Sequence, residues 1–314
     1  MSFSRPVSMK AMRIVRSFAP PLRIAALAAL LAAFLLAAPP DRLAAPPWLG
    51  RRGYDYTRDL VKFGPRPPGT KAHERMEAFI LDRLRRDGAV IESDRFTAST
   101  PRGALPEHNI IAKFGPEKGS ILIVASHYDT KFLPRFVGAD DGGSSTGLLL
   151  ALADVLAGRK DLRSPIWLVF LDGEEAIHKQ WSDADSVYGS RHLADKFQAS
   201  GLVPRIRALI LLDMIGNKGV SVERDTNSTL WLQQFVASAA HRLGYSASFF
   251  GNSGAIADDH QQFLRVGIPS VDLIDLTYKY WHTPQDTMDK LSPNSFQIVG
   301  AGTLETLAML EAQS

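Results

Sequence analysis

The chain has 314 residues, 45% hydrophobic and 22% charged, a composition that excludes a disordered or fibrous protein and matches a globular enzyme. Its formal charge of +3 belongs to the first 52 residues, which hold eight of the 36 Lys/Arg and one of the 33 Asp/Glu. The remainder carries 28 basic and 32 acidic side chains, a net of −4, and so lacks the electrostatic footprint of a nucleic-acid binder; zero cysteines excludes disulfides, thiol catalysis and thiolate metal sites.

At the N-terminus, Arg5, Lys10, Arg13, Arg16 and Arg23 precede an unbroken apolar run, Ile24–Ala38. Its 15 residues fall between a signal-peptide core and a full membrane span of about 20. Pro39, Pro40, Pro46 and Pro47 follow. Residues 1–38 are therefore expected to be a signal peptide or an uncleaved anchor, with residues 22–38 as the tether in the second case. Either places the following domain outside the cytoplasm, because the positive flank stays inside. Residues 39–53 read as a Pro-rich linker and 54–314 as one catalytic domain.

Within that domain the spacing predicts a helix from Lys71 to about Asp87, with Phe79, Ile80 and Leu84 on one face and Gly88 ending it. Strands are expected near Val90–Phe96 and Asn109–Phe114, then a fully apolar one at Ile121–Ala125. A helix over Ser145–Leu156 precedes buried strands at Ile166–Leu171 and Ala208–Leu212. Helices near Leu230–Leu243 and His260–Val266 flank a strand at Ser270–Ile274, and a helix over Ser295–Glu311 closes the chain. Continuous apolar strands between helices imply a sheet covered on both faces. The expected fold class is α/β: a three-layer α/β/α sandwich with a mixed, mostly parallel central sheet.

Ligands bind beyond the carboxyl ends of strands in such sheets, and the polar residues gather there. His127 and Asp129 follow one apolar strand, Glu174 and Glu175 another; Asp213 ends a third, His282 lies beyond a fourth, and Asp141 begins the turn into a helix. Singly, each has an ordinary explanation as a cap or turn residue. Together, five carboxylates and two histidines would repel unless a divalent cation sat among them. Zinc suits mixed His/carboxylate ligation with an open position. Adjacent side chains diverge, so one of Glu174 and Glu175 can ligate while the other stays free as acid or base. Gly143-Ser144-Ser145-Thr146-Gly147 matches G-x-S-x-G, but a loop and not a strand precedes it, which argues against a serine nucleophile. Its small residues are expected to let the helix approach the sheet. No H-E-x-x-H occurs.

The segments SHYDT, GADDGGS, LDGEEA, LLDMIG and WHTPQDT resemble the zinc aminopeptidase clan, in which the residues matching His127, Asp141, Glu174, Glu175, Asp213 and His282 serve two zinc ions. The stretch 173–194, DDHQQFLRVGIP at 258–269 and Trp281 before His282 are similar to the glutaminyl cyclases of that clan. The narrower resemblance implies one zinc held by Asp141, Glu175 and His282, with Glu174 as proton carrier. It also implies Asp213 and Asp258 as a hydrogen-bonded carboxylate pair and Trp181 and Trp281 as walls of the substrate pocket. Two departures stand out: the spacing from Glu175 to Trp181 is one residue longer than in animal cyclases, and Asp272 stands where they have histidine.

The function expected from that resemblance is conversion of N-terminal glutamine of peptides or proteins to pyroglutamate with release of ammonia, by a monomer. Two alternatives accompany it. A two-zinc aminopeptidase would use His127 and Asp213 for the second ion; a membrane-tethered binding module would keep the fold without catalysis.

Overall fold

A computed structural model describes residues 43–313, apart from Lys179 and Asp183, together with Met1. The expected signal or anchor run, including residues 22–38, lies outside the described residues. Among the described residues no helix is long and apolar enough to cross a membrane.

The first helix, α1 (Leu49–Val61), begins inside the stretch expected to be linker. Leu49, Gly50 and Gly53 are buried on it, and Leu43 upstream is buried too. Helix α2 (Lys71–Arg86) has its start fixed by the Thr70 side chain, which accepts from the His73 amide. Met76, Ile80 and Leu84, four residues apart, form its buried stripe, and Arg83, Arg85 and Arg86 complement the dipole in its last turn.

The strands β1 (Val90–Thr100), β2 (Gly103–Phe114), β3 (Ile121–His127), β4 (Ile166–Leu171), β5 (Ile206–Asp213) and β8 (Ser270–Ile274) form one sheet in the order β1-β2-β4-β3-β5-β8. The β1/β2 and β2/β4 pairs are antiparallel, while β4/β3, β3/β5 and β5/β8 are parallel. Strands β6 (Val222–Asp225) and β7 (Phe249–Gly254) pair apart from it as a two-stranded parallel ribbon.

Alternation along each strand divides the core in two. Ile110, Leu122, Val124, Leu168, Phe170, Ile210 and Leu273 point to the face covered by α1, α2, α3 (Gly143–Leu156), α5 (Leu230–Arg242) and α7 (Pro293–Glu311). Ile111, Ile123, Ala125, Val169, Leu209 and Leu211 point to the other, packed by α4 (Tyr188–Ala199) and α6 (His260–Arg265). The molecule is thus the three-layer sandwich expected, with a mixed, mostly parallel sheet.

One packing expectation is corrected. Gly147 of α3 faces α1 and not the sheet: a Cβ there would lie 2.7 Å from the Gly53 carbonyl oxygen and closer still to Thr57 Oγ1.

Candidate metal and catalytic site

The carboxyl ends of the central strands carry the site. His127 is the last residue of β3 and Asp213 the last of β5. Glu174 and Glu175 lie in the loop leaving β4, and Trp281 and His282 in the loop leaving β8. Asp141 precedes α3 at Gly142, whose φ of +71° is a left-handed turn; a Cβ there would press on the His127 ring at 2.8 Å.

Buried polar groups brace these loops. Asp129 accepts from the amides of Glu174 (3.2 Å) and Glu175 (3.4 Å). Asp286 accepts from the amides of Asp140 (2.9 Å) and Asp141 (3.2 Å) and from the Tyr278 hydroxyl (2.6 Å). One carboxylate thereby ties the loop bearing His282 to the loop bearing Asp141. The fully buried Arg66 donates to the carbonyls of Tyr128, Val137 and Gly138, spanning the chain just before Asp141. His282 itself has φ +51°, a strained position for a non-glycine residue costing about 1–3 kcal/mol. It is held there between Trp281, stacked at 4.3 Å and 26°, and the edge-on ring of Phe136.

Two groups of ligand atoms converge on Asp141. His282 Nε2 lies 3.4 Å from Asp141 Oδ2 and 3.2 Å from Glu175 Oε2. On the other side, His127 Nε2 lies 3.4 Å from Asp141 Oδ1 and 3.2 Å from Asp213 Oδ1. In each trio one atom per residue falls within 4.8 Å of the others. Two donors about 2.0–2.1 Å from a tetrahedral zinc are about 3.3 Å apart, so these separations suit such an ion. Asp141 Oδ2 is also buried without a hydrogen-bond partner, which a cation would supply. The chemistry and spacing of Asp141, Glu175 and His282 therefore fit zinc.

The electrostatics agree. Burial, then the neighbouring Glu175, pushes Asp141 up to about 7. Burial raises Glu174 well above the usual carboxylate range, His127 opposing and Glu175 and Asp258 adding to it. Burial and the Asp213 charge lift Asp258 to about 6. For Glu175 burial acts in the same direction, but the His282 ring and the Lys131 ammonium outweigh it and hold the carboxylate at about 2. So much crowded acidity marks a place where a cation belongs. Glu174 Oε2 stands 3.9 Å from His127 Nδ1 and belongs to neither trio, which leaves its carboxyl free for proton transfer.

Above these residues opens a cavity of about 250 Å³, lined by Asp141, Glu174, Glu175, Asp213, Asp258 and His282 among others. Trp181 and Trp281 both line it and are both partly exposed, at 37% and 48%. Large aromatic rings left in water are unusual as core residues and suit a binding wall. The structure thus gathers all nine expected site residues, although His127 lies behind the cavity and does not line it. Sequence reasoning missed Lys131, buried and 3.2 Å from Glu175 Oε2, and the wall formed by Met214, Ile256, Ile274 and Leu276. A lysine four residues after His127 was the available signal for the first. The wall residues carry no chemical signature, because each is an ordinary apolar side chain until β5, β7 and β8 bring it to the rim. The G-x-S-x-G serine, Ser145, is buried and has no hydrogen-bond partner, as a nucleophile awaiting a base would not be.

Comparisons with known proteins agree with this geometry. The model of peptidase family M28 matches residues 109–307. A glutaminyl-peptide cyclotransferase-like protein of Mus musculus is 37% identical over 259 residues, covering 73% of this chain and 67% of the mouse protein. The crystal structure of an Acidobacteriales bacterium glutaminyl cyclase superposes with a TM-score of 0.83 at 40% identity, over 86% of this chain and 97% of that one. A Zn-dependent exopeptidase of Parabacteroides distasonis superposes with a TM-score of 0.74 at 29% identity, over 84% and 99%. The chain belongs to peptidase family M28, in its glutaminyl-peptide cyclotransferase branch.

Proposed function

We propose that the protein is a zinc-dependent glutaminyl-peptide cyclotransferase, converting N-terminal glutamine of peptides to pyroglutamate with release of ammonia. The observation that carries this reading is the juxtaposition, in one cavity, of the Asp141–Glu175–His282 trio, the unligated Glu174 and two tryptophan walls. The relatives named as cyclotransferases and cyclases support it.

Asp141, Glu175 and His282 would hold one zinc ion, which when bound supplies Lewis-acid polarisation of the substrate γ-carbonyl. The α-amine attacks the γ-amide carbon, a C–N bond forms as the original amide C–N bond breaks, and ammonia leaves. Glu174 takes the proton lost by the amine and returns it to the departing nitrogen, so no net proton is consumed. A free α-amine has a pKa of about 7.7–8.0, and a useful fraction is already neutral near pH 7. Asp213 or Asp258, both of which line the cavity, would hold the α-amine. Trp181 and Trp281 fold the glutamine side chain toward its own amine and exclude the water that would hydrolyse it.

The test is to incubate the purified domain with Gln-initiated and Leu-initiated peptides and follow mass and ammonia together. Cyclisation predicts ammonia and a peptide that keeps every residue but is lighter by one ammonia, from the Gln series alone. Release of free amino acids from either series, without ammonia, would sink it.

The second trio, His127, Asp141 and Asp213, favours one other reading, a two-zinc aminopeptidase with Glu174 activating water. It predicts the opposite outcome in the same assay. We also read residues 1–38 as a signal peptide or anchor that places a monomeric catalytic domain outside the cytoplasm; N-terminal sequencing of the mature protein decides between cleavage and anchoring.

A further inference from the structure

Behind the Glu174–Glu175 loop, away from the cavity, lies a second cluster: buried His73 and half-buried Glu77 of α2, buried Glu107 and His108 of β2, and buried Asp172 directly after β4. His73 Nε2 is 2.8 Å from Asp172 Oδ1, and its other nitrogen, Nδ1, is 3.4 Å from Glu77 Oε1. Glu77 continues to His108 Nδ1 at 3.0 Å and to Arg95 at 3.4 Å. The residue types would fit a metal, and one ligand atom from each of His73, Glu77 and Asp172 lies within 4.8 Å of the others. The contacts do not fit one, because Asp172 and Glu77 meet opposite nitrogens of the His73 ring, whose lone pairs diverge. They describe an imidazole ring held at both nitrogens between two carboxylates, which favour its protonated form.

Asp172 connects this clamp to the reacting loop. Its Oδ1 also accepts from the Gly173 amide at 3.0 Å, and its Oδ2 from the His108 amide at 2.8 Å. Gly173, with φ +63°, starts the turn that ends at Glu174 and Glu175. Behind that turn presses Glu107, so close that a Cβ on Gly173 would lie 2.7 Å from its carboxyl. Burial, then the charges of Asp172 and Asp129, keeps Glu107 protonated up to about 11. His73 shifts upward despite its burial, because Asp172 and Glu77 favour its charged form, and Asp172 is held low by that same ring. Tyr128 stacks on the His73 ring at 5.1 Å and donates to the His108 carbonyl, closing the cluster.

We infer that His73 is a positioning residue for the reaction: through Asp172 it fixes Gly173 and so aims the Glu174 carboxyl at the substrate. The inference rests on the proposed role of Glu174 but not on which reaction Glu174 serves. Without the His73 ring, Asp172 Oδ1 would lose its side-chain partner, and the Gly173 amide it accepts from would no longer be held in place beside Glu174. A displacement of about 1 Å at the reacting carboxyl costs on the order of a hundredfold in rate.

The two nitrogens give a discriminating test. A glutamine amide nitrogen reaches the place of Nε2, an asparagine amide nitrogen that of Nδ1. The variants His73→Gln and His73→Asn are compared with wild type at saturating zinc, in whichever reaction wild type performs, ammonia release or amino-acid release. His73→Gln keeps the bond to Asp172 and is expected to hold kcat within about threefold. His73→Asn loses that bond and is expected to lower kcat by more than about tenfold with KM little changed. Equal losses in both, or full kcat in His73→Asn, would overturn the inference. Asp172→Asn, which preserves shape, provides an independent arm: it must lower kcat with unchanged KM, and wild-type kcat there contradicts the inference whatever the His73 variants do. A wild type that releases amino acids in place of ammonia would fail the cyclase reading while leaving this one standing.

Discussion

Asp286 carries more of the candidate site than its place outside the cavity suggests. It receives the amides of Asp140 and Asp141 and the Tyr278 hydroxyl, so the loop with one expected ligand is fastened to the loop with another. Asp286→Ala is expected to weaken zinc affinity by about 10–100-fold, read by competition with a chelator, while the fold persists. Glu174→Gln should act in the opposite way: zinc content unchanged and kcat lowered by about 10²–10⁴, the usual weight of a positioned acid–base group. At this scale the sequence was most legible where chemistry is concentrated. Asp141, Glu174, Glu175 and His282 stand in short motifs of a kind that solvent-exposed loops do not need. Asp286 and Lys131 were not legible, because a carboxylate that braces amides and a lysine that neutralises a ligand look like any surface charge until their burial is known.

At the scale of elements, the contact of α1 with α3 illustrates what periodicity misses. Leu49–Gly53 sits beside prolines and arginines and reads as linker, yet Gly50 seats it against α7 and Gly53 against α7 and α3, where Gly147 meets Gly53 and Thr57. Gly147→Ala is expected to cost about 1–3 kcal/mol by overpacking, seen as a fall in the thermal midpoint. Strands β6 and β7 escaped for a different reason: VERD and FFGNSG are short, and neither alternates nor forms an apolar run. The central strands β3, β4 and β8 were legible because both faces are covered, which makes β4 apolar throughout and leaves β3 and β8 only a few polar positions. On β2, Glu107 offers a pH test. Its folded-state value of about 11 lies far above the unfolded value near 4.3, so its contribution to stability is full below about pH 4 and declines as pH rises toward 11. Glu107→Gln removes that decline. Its melting temperature should exceed wild type at pH 8 by at least about 2–4 °C, the shift that 1 kcal/mol produces in a domain of this size, and the gain should vanish near pH 4.

For the whole molecule, charge is distributed to one purpose. The basic excess is confined to residues 1–52, while the catalytic body is acidic overall and most acidic where the central strands end. Burying so many carboxylates is costly without a cation, and that cost is the physical reason to expect the apoprotein to be less stable than the zinc form. The fold class followed from alternating helices and apolar strands. The number of metal ions did not, because Asp141 faces both His282 and His127 and either trio alone is chemically sensible. The most direct measurement is therefore a titration of zinc into chelator-stripped protein, with ammonia release from a Gln-initiated peptide as the readout. One zinc per chain restoring full ammonia release is the predicted result. Activity that needs two zinc ions per chain and yields free amino acids without ammonia would contradict the account.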